Sequence, residues 1–211
     1  MSPEPRIAII DYGMGNRRSV EKALERVGAR TLMTRDPSQL RAADGLLLPG
    51  VGAFPAAMRA LRELELEEVL RSCATGGMPF FGSCMGMQLL FDSSEEHGGA
   101  KGLGILRGEV RALDGRGLTL PHIGWNEVRW MRESPLTEGL SDLATFYHVH
   151  SFVPHPADVE DVLGCSEYGS PFVSVVARDS VFGAQFHPEK SSTHGLALLR
   201  NFARLCARVS A

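Results

Sequence analysis

Five residues, Gly82-Ser83-Cys84-Met85-Gly86, constrain this chain more than any others. The pattern glycine-x-nucleophile-x-glycine is that of an elbow, in which a strand ends abruptly and a helix begins at the central residue. It therefore demands a strand before it and a helix after it. Met78-Pro79-Phe80-Phe81-Gly82 supplies an apolar run suited to a buried strand, and Met85 to Phe91 reads as the helix.

The rest of the first half repeats that rhythm. Arg6-Ile7-Ala8-Ile9-Ile10 is a buried strand, and Val20, Ala23, Leu24 and Val27 recur with the spacing of one helix face, with Gly28 as its stop. A strand near Thr31-Leu32-Met33, a helix start at Asp36-Pro37-Ser38, a strand at Gly45 to Leu48 and a helical stretch from about Pro55 to Ala74 follow. Alternating strands and helices predict an α/β fold: an open, mainly parallel sheet flanked by helices, flavodoxin-like. After Leu103 the elements shorten. Runs at Glu109–Leu113, Trp125–Met131, Thr145–His148, Val173–Arg178 and Val181–Phe186 predict a more antiparallel extension, closed by a helix over about Thr193–Arg208. With no repeat or linker, one domain over 1–211 is expected.

Composition excludes several classes of function. The 211 residues are 44% hydrophobic and 22% charged, with a net charge of -3 and no basic stripe, so no nucleic-acid partner is expected. The start is too polar for a signal peptide, and no apolar run reaches the roughly 20 residues of a membrane span, so no membrane association is expected. Cys73, Cys84, Cys165 and Cys206 are scattered without a C-x-x-C, which argues against a metal site or disulfide framework and fits a reducing cytoplasm. Gly13-Met14-Gly15 suggests a dinucleotide loop, but Arg18 stands where the third glycine belongs, and no cofactor is expected.

Nucleophilic chemistry fits best. An elbow aims the Cys84 sulfur at a helix N-terminus, whose partial positive charge favours the thiolate. His187 and Glu189 follow a strand and flank Pro188. Two residues apart in extended chain they point to one side, so the imidazole can take the thiol proton while the carboxylate orients it. An oxyanion needs fixed N–H donors. The Met85 amide is one candidate, and the Val51 amide, flanked by Gly50 and Gly52, is another; a plain glycine turn is the alternative there. The remaining cysteines, with His97, His122, His155 and His194, are expected to be ordinary core or surface residues. Three readings stay open on these residues alone: an acyl transferase, a cysteine hydrolase or peptidase, and a non-catalytic module with a buried cysteine.

Gly82-Ser83-Cys84-Met85-Gly86-Met87-Gln88 and Gln185-Phe186-His187-Pro188-Glu189 resemble the motifs of class I (triad) glutamine amidotransferases. Asp11 to Asn16, Leu48 to Phe54, Pro121 to Asn126, Tyr147 to Phe152 and Lys190-Ser191 narrow the resemblance to the glutaminase subunits of imidazole glycerol phosphate synthase. The pyridoxal phosphate synthase glutaminases and anthranilate synthase components fit those segments less well. The resemblance implies a Cys84-His187-Glu189 triad that hydrolyses L-glutamine through a thioester to glutamate and ammonia. The ammonia would pass to a HisF-type (β/α)8-barrel cyclase subunit in histidine biosynthesis. It further implies that Gly52, Gln88, Glu96 and the backbone of Ser151 and Phe152 hold glutamine, Glu96 through its α-ammonium group. Asn16, Trp125, Tyr147 and Lys190 would face the cyclase. Arg17, Ser83, Met85 and Phe152 depart from the usual residues of the pattern without disturbing the triad.

Overall fold

A computed structural model describes residues 4–209. In chain order its elements are β1 (Arg6–Ile10), α1 (Arg17–Arg26), β2 (Arg30–Thr34), α2 (Pro37–Arg41), β3 (Gly45–Gly50), α3 (Phe54–Glu63), α4 (Glu67–Thr75), β4 (Phe80–Cys84) and α5 (Met85–Gln88). Two short strands, β5 (Ser93–Ser94) and β6 (Ala100–Lys101), precede β7 (Gly108–Ala112), β8 (His122–Trp130), β9 (Leu143–His150) and β10 (Phe152–Pro156). Then come β11 (Val162–Tyr168), β12 (Ser170–Arg178), β13 (Val181–Ala184) and α6 (Ser192–Val209).

The main sheet has the order β2-β1-β3-β4-β13-β12-β11-β8-β9. Its first five strands are parallel and the rest antiparallel, as expected for a parallel sheet with an antiparallel extension. Side chains alternate across it. Ile7, Ile9, Leu47 and Phe81 pack on one face with α1 and α6; Ala8, Ile10, Leu46, Leu48 and Phe80 pack on the other with α2, α3 and α4. Strands buried on both faces need apolar residues at every position, which is why they read as continuous runs rather than alternating ones.

Four expectations need correction. The stretch from Pro55 to Ala74 is two helices. Glu65 takes a positive φ of 53°. The Leu66 N–H returns to the Leu61 carbonyl at 2.9 Å and that of Glu65 to Arg62 at 2.9 Å, closing α3 with a left-handed cap that carries no glycine to announce it. The helix after Cys84 is only Met85–Gln88, because the Leu89, Leu90 and Phe91 carbonyls are taken by the amides of Leu103–Leu106. The Glu109–Leu113 strand leaves the main sheet and joins a second one, β10-β7-β5-β6, whose pairs Ser93–Ser94 and Ala100–Lys101 are too short to show periodicity. The strand read to Phe186 ends at Ala184, after which the His187 amide turns to the Tyr147 carbonyl of β9 at 3.0 Å.

The parallel half places three strand ends together. Gly50 of β3 lies opposite Cys84 of β4, and Ala184 of β13 lies opposite Ser83. This closeness depends on Gly86, where an added Cβ would stand 1.8 Å from the Leu48 carbonyl oxygen. Gly86→Ala should therefore destabilise the fold by about 3 kcal/mol or more, since backbone must move to admit the methyl. Urea unfolding checks this, and a loss below about 1 kcal/mol would show that α5 shifts freely over β3.

Candidate active site

Cys84 adopts φ 52° and ψ −112°, a conformation that is strained for a residue with a side chain. The strain lets the chain pass from β4 into α5 without an intervening loop. The thiol is buried and sits at the N-cap of α5. Its neighbours are the Val149 carbonyl and the Gln185 amide nitrogen, each 3.9 Å from Sγ.

His187 and Glu189 meet, but not through extended chain. Pro188–Lys190 forms a 3₁₀ turn, and this turn brings the carboxylate back to the imidazole with Nδ1 2.9 Å from Oε1. Two supports hold it. Ser191 Oγ donates to the His187 carbonyl at 2.6 Å and accepts from the Tyr147 amide at 2.9 Å. Gly195 of α6 lets the helix approach, since a Cβ there would come within 1.9 Å of the Pro188 carbonyl. The His187 and Glu189 side chains are 3% and 1% exposed. Burial alone would lower the imidazole pKa. Hydrogen bonding and charge from Cys84 and Glu189 outweigh it and push the value up to about 10. His187 Nε2 makes no hydrogen bond of regular geometry in the resting site.

A cleft of about 320 Å³ opens over these residues. Cys84, His187, Val51, Met85, Gly52, Gln88, Glu96, Ser151, Phe152 and Lys190 line it, so nearly every residue singled out in the sequence for catalysis or glutamine binding converges here. Glu189 lies behind His187. The Glu96 carboxylate accepts from the Phe54 amide at the start of α3 at 2.7 Å through one oxygen, and its other oxygen lies 3.9 Å from Nε2 of the exposed His97. Gln88 Nε2 donates to the Phe152 carbonyl at 3.0 Å. Among the described residues, five buried side-chain polar atoms make no hydrogen bond, and three of them, Gln88 Oε1, His187 Nε2 and Glu189 Oε2, belong to this site. Unpaired buried groups cost free energy, and their concentration here fits a site that a polar ligand completes.

Beside the cleft, Trp125 of β8 and Tyr147 of β9 stack edge to face at 6.2 Å, and Lys190 Nζ lies 5.8 Å from the Tyr147 ring centre. Asn16 is half-buried at the N-cap of α1, with no side-chain capping bond. Arg17 pairs with Asp11, which gives that departure from the family pattern a partner.

Several residues went unrecognised in the sequence. Pro121, Val149 and His150 line the cleft. His150 Nδ1 lies 3.2 Å from the Phe152 carbonyl, so that nitrogen carries the proton, and Nε2 accepts from His122 Nδ1 at 3.2 Å. Burial, with help from neighbouring imidazoles, holds His150 far below its ordinary pKa and keeps it neutral. The buried Tyr12 hydroxyl donates to the Pro49 carbonyl at 2.8 Å, tethering the segment that carries Val51. Only a signal of place, within the segments resembling the family, could have pointed to these residues. Among the described residues no cluster suited to a metal ion occurs, and no helix is long and apolar enough to cross a membrane.

The family model of the class I glutamine amidotransferases matches residues 8–206. The imidazole glycerol phosphate synthase subunit HisH of Bacillus cereus is 52% identical over 196 residues, covering 93% of each chain. That of Moorella thermoacetica is 49% identical over 199 residues, covering 94% of each. Among solved structures, a putative GMP synthase component from Thermoplasma acidophilum covers 100% of this chain and 98% of its own, with a TM-score of 0.73 and 20% identity. PurLQS from Thermotoga maritima covers 99% of this chain and 100% of its own, with a TM-score of 0.75 and 18% identity. These two are likenesses of fold.

The raised His187 pKa has a consequence for stability. The folded chain holds the imidazolium more tightly than the unfolded chain, so the contribution is full below about pH 6.5 and is lost as pH climbs towards 10. Glu189→Gln removes one source of that shift. The difference in unfolding free energy between wild type and variant should be largest below pH 6.5 and shrink towards pH 10, as read by denaturant titration. A difference constant across that range would exclude a charged pair.

Proposed function

The chain belongs to the class I glutamine amidotransferases, and from that premise we propose how it works as the glutaminase subunit of imidazole glycerol phosphate synthase. It hydrolyses L-glutamine to glutamate and ammonia, the nitrogen source for a step of histidine biosynthesis. The observation that carries the assignment of roles is the buried His187–Glu189 pair beside a cysteine on a strained elbow, under one cleft.

Glutamine enters with its α-ammonium group on Glu96 and its amide near Cys84. Gln88 Oε1, buried without a partner, accepts a hydrogen bond from the substrate. The backbone at Gly52, Ser151 and Phe152 completes the cradle. The Cys84 proton rests on His187 Nε2, whose raised pKa favours the imidazolium beside a thiolate, and the thiolate attacks the carboxamide carbon. The Met85 amide, free of an intrahelical partner at the first turn of α5, and the Val51 amide hold the oxyanion. Collapse of the tetrahedral adduct breaks the C–N bond. The imidazolium returns its proton to the leaving nitrogen, and ammonia departs. His187 then takes a proton from water, which attacks the thioester and releases glutamate. Glu189 keeps Nδ1–H in place throughout, so that Nε2 faces the reaction.

Ammonia at neutral pH is mostly protonated and unreactive, so its release is useful only beside an acceptor. The partner is the cyclase subunit, docked over the cleft mouth. Ile123 and Trp125, two residues apart on β8, are 59% and 55% exposed, and Val51 and Leu120 are 41% exposed. An apolar surface of this kind around an active-site rim suits a protein partner. A Val51 peptide that turns into place only in the liganded complex would couple glutamine hydrolysis to the acceptor site.

Glutamate release from glutamine, measured for the chain alone and then with the cyclase plus its ribotide, tests this reading. Strong stimulation in the complex, abolished by Cys84→Ala, is expected. Equal rates with and without the partner would overturn the coupling. Trp125→Ala should weaken binding to the cyclase about tenfold or more by calorimetry while leaving Cys84 alkylation in the isolated chain unchanged.

A further inference from the structure

One fully buried polar side chain beside the nucleophile has no part in the mechanism above. Gln185 is 0% exposed and follows β13 directly. A buried amide is costly unless its ends are paired. Because its oxygen only accepts and its nitrogen only donates, its orientation can be deduced. The Phe152 carbonyl only accepts, so Gln88 turns Nε2 towards it at 3.0 Å. The second proton on that nitrogen reaches Gln185 at 3.1 Å, so Gln185 presents Oε1 to Gln88. Its Nε2 is then left facing Cys84 Sγ at 3.9 Å. The main chain fixes the position as well. The Gln185 amide donates to the Ser174 carbonyl at 2.8 Å, and the register of β13 on β4 sets Ala184 beside Ser83.

We propose that Gln185 is a second side-chain hydrogen-bond donor, beside the His187 imidazolium, that stabilises the Cys84 thiolate. The proposal rests on Cys84 being the nucleophile of the glutaminase reaction. When the Sγ–H bond breaks, the proton goes to His187 Nε2 and the electron pair stays on sulfur. A negative sulfur draws in the Gln185 N–H far more strongly than a neutral thiol does. A further sulfur neighbour besides His187, the Val149 carbonyl at 3.9 Å, can only accept and so favours the thiol. The two contacts oppose each other, and Gln185 acts on the thiolate side. Gln88 has a second task here: it keeps the Gln185 amide from flipping its oxygen towards the sulfur.

The test is the rate of Cys84 alkylation by iodoacetamide against pH, on the full chain, with Cys84→Ala as the blank for the other cysteines. Gln185→Met should raise the inflection by about one pH unit and slow alkylation at neutral pH about tenfold. Gln185→Glu keeps an acceptor for Gln88 but sets a carboxylate at the sulfur, and should raise the inflection further. In the complex with the cyclase, the loss of glutaminase activity should fall on kcat rather than KM. A measurement on the wild-type chain needs no variant to fold: with ¹⁵N-labelled glutamine side chains, the Gln185 amide protons should shift with the inflection seen in alkylation. A folded Gln185→Met chain with an unmoved inflection, or a wild-type amide signal indifferent to that titration, would overturn the proposal. A Cys84 that resists alkylation at every pH would instead overturn its assignment as nucleophile, and this proposal with it.

Discussion

The backbone at Cys84 is the constraint from which the rest of the site follows. Holding a non-glycine residue at φ 52° and ψ −112° costs on the order of 1–3 kcal/mol, and nothing local offsets that cost. The surroundings do. Gly86 lets α5 settle against the Leu48 carbonyl, and Gly82 avoids a clash with Gly86, where a Cβ would come within 2.6 Å of its carbonyl. Gly50 does the same for β3, where a Cβ would meet the Met85 side chain at 2.7 Å. Three glycines on two strands and a short helix thus serve one sharp turn. The result is a sulfur at the N-terminus of α5, within reach of groups carried by two neighbouring strand ends.

A second layer of order is polar. The Phe152 carbonyl accepts from both Gln88 Nε2 and His150 Nδ1, and so joins the floor of the cleft to the antiparallel half of the sheet. His150 in turn accepts from His122, and Asn126 Nδ2 lies 3.4 Å from His122 Nε2. These imidazoles stay neutral because burial disfavours their charged forms, which assigns each ring one donor and one acceptor and makes the chain of bonds directional. His187 differs from them through its partners rather than its burial: a carboxylate and a sulfur replace carbonyls and neutral rings.

Much of the fold was legible because its strands and helices carry strong periodic signals. β1, β3 and β4 are short runs that carry consecutive apolar residues, and α1 shows one apolar face closed by Gly28, whose φ of 92° the glycine accommodates. The errors fell where hydrogen bonds rather than side-chain patterns decide. Glu65 ends α3 in a conformation usually left to glycine, and α5 stops early because a distant segment takes its carbonyls. The His187–Glu189 contact was foreseen on extended geometry, yet a 3₁₀ turn makes it, because Pro188 starts that turn and Ser191 holds it.

The sequence by itself determined the chemistry available and its order along the chain: a cysteine between glycines after an apolar run, a histidine and a carboxylate two residues apart, and glycines around Val51. These are local facts, and local spacing and sterics express them. Only the tertiary structure decided which groups meet, because Gln185 is 101 residues from Cys84 and Phe152 is 64 from Gln88. The parallel register of β13 on β4 brings the first pair together, whereas Phe152 arrives on β10 of the second sheet. Strand register arises from packing the two apolar layers on either side of the sheet, a cooperative property of many residues that no short motif records.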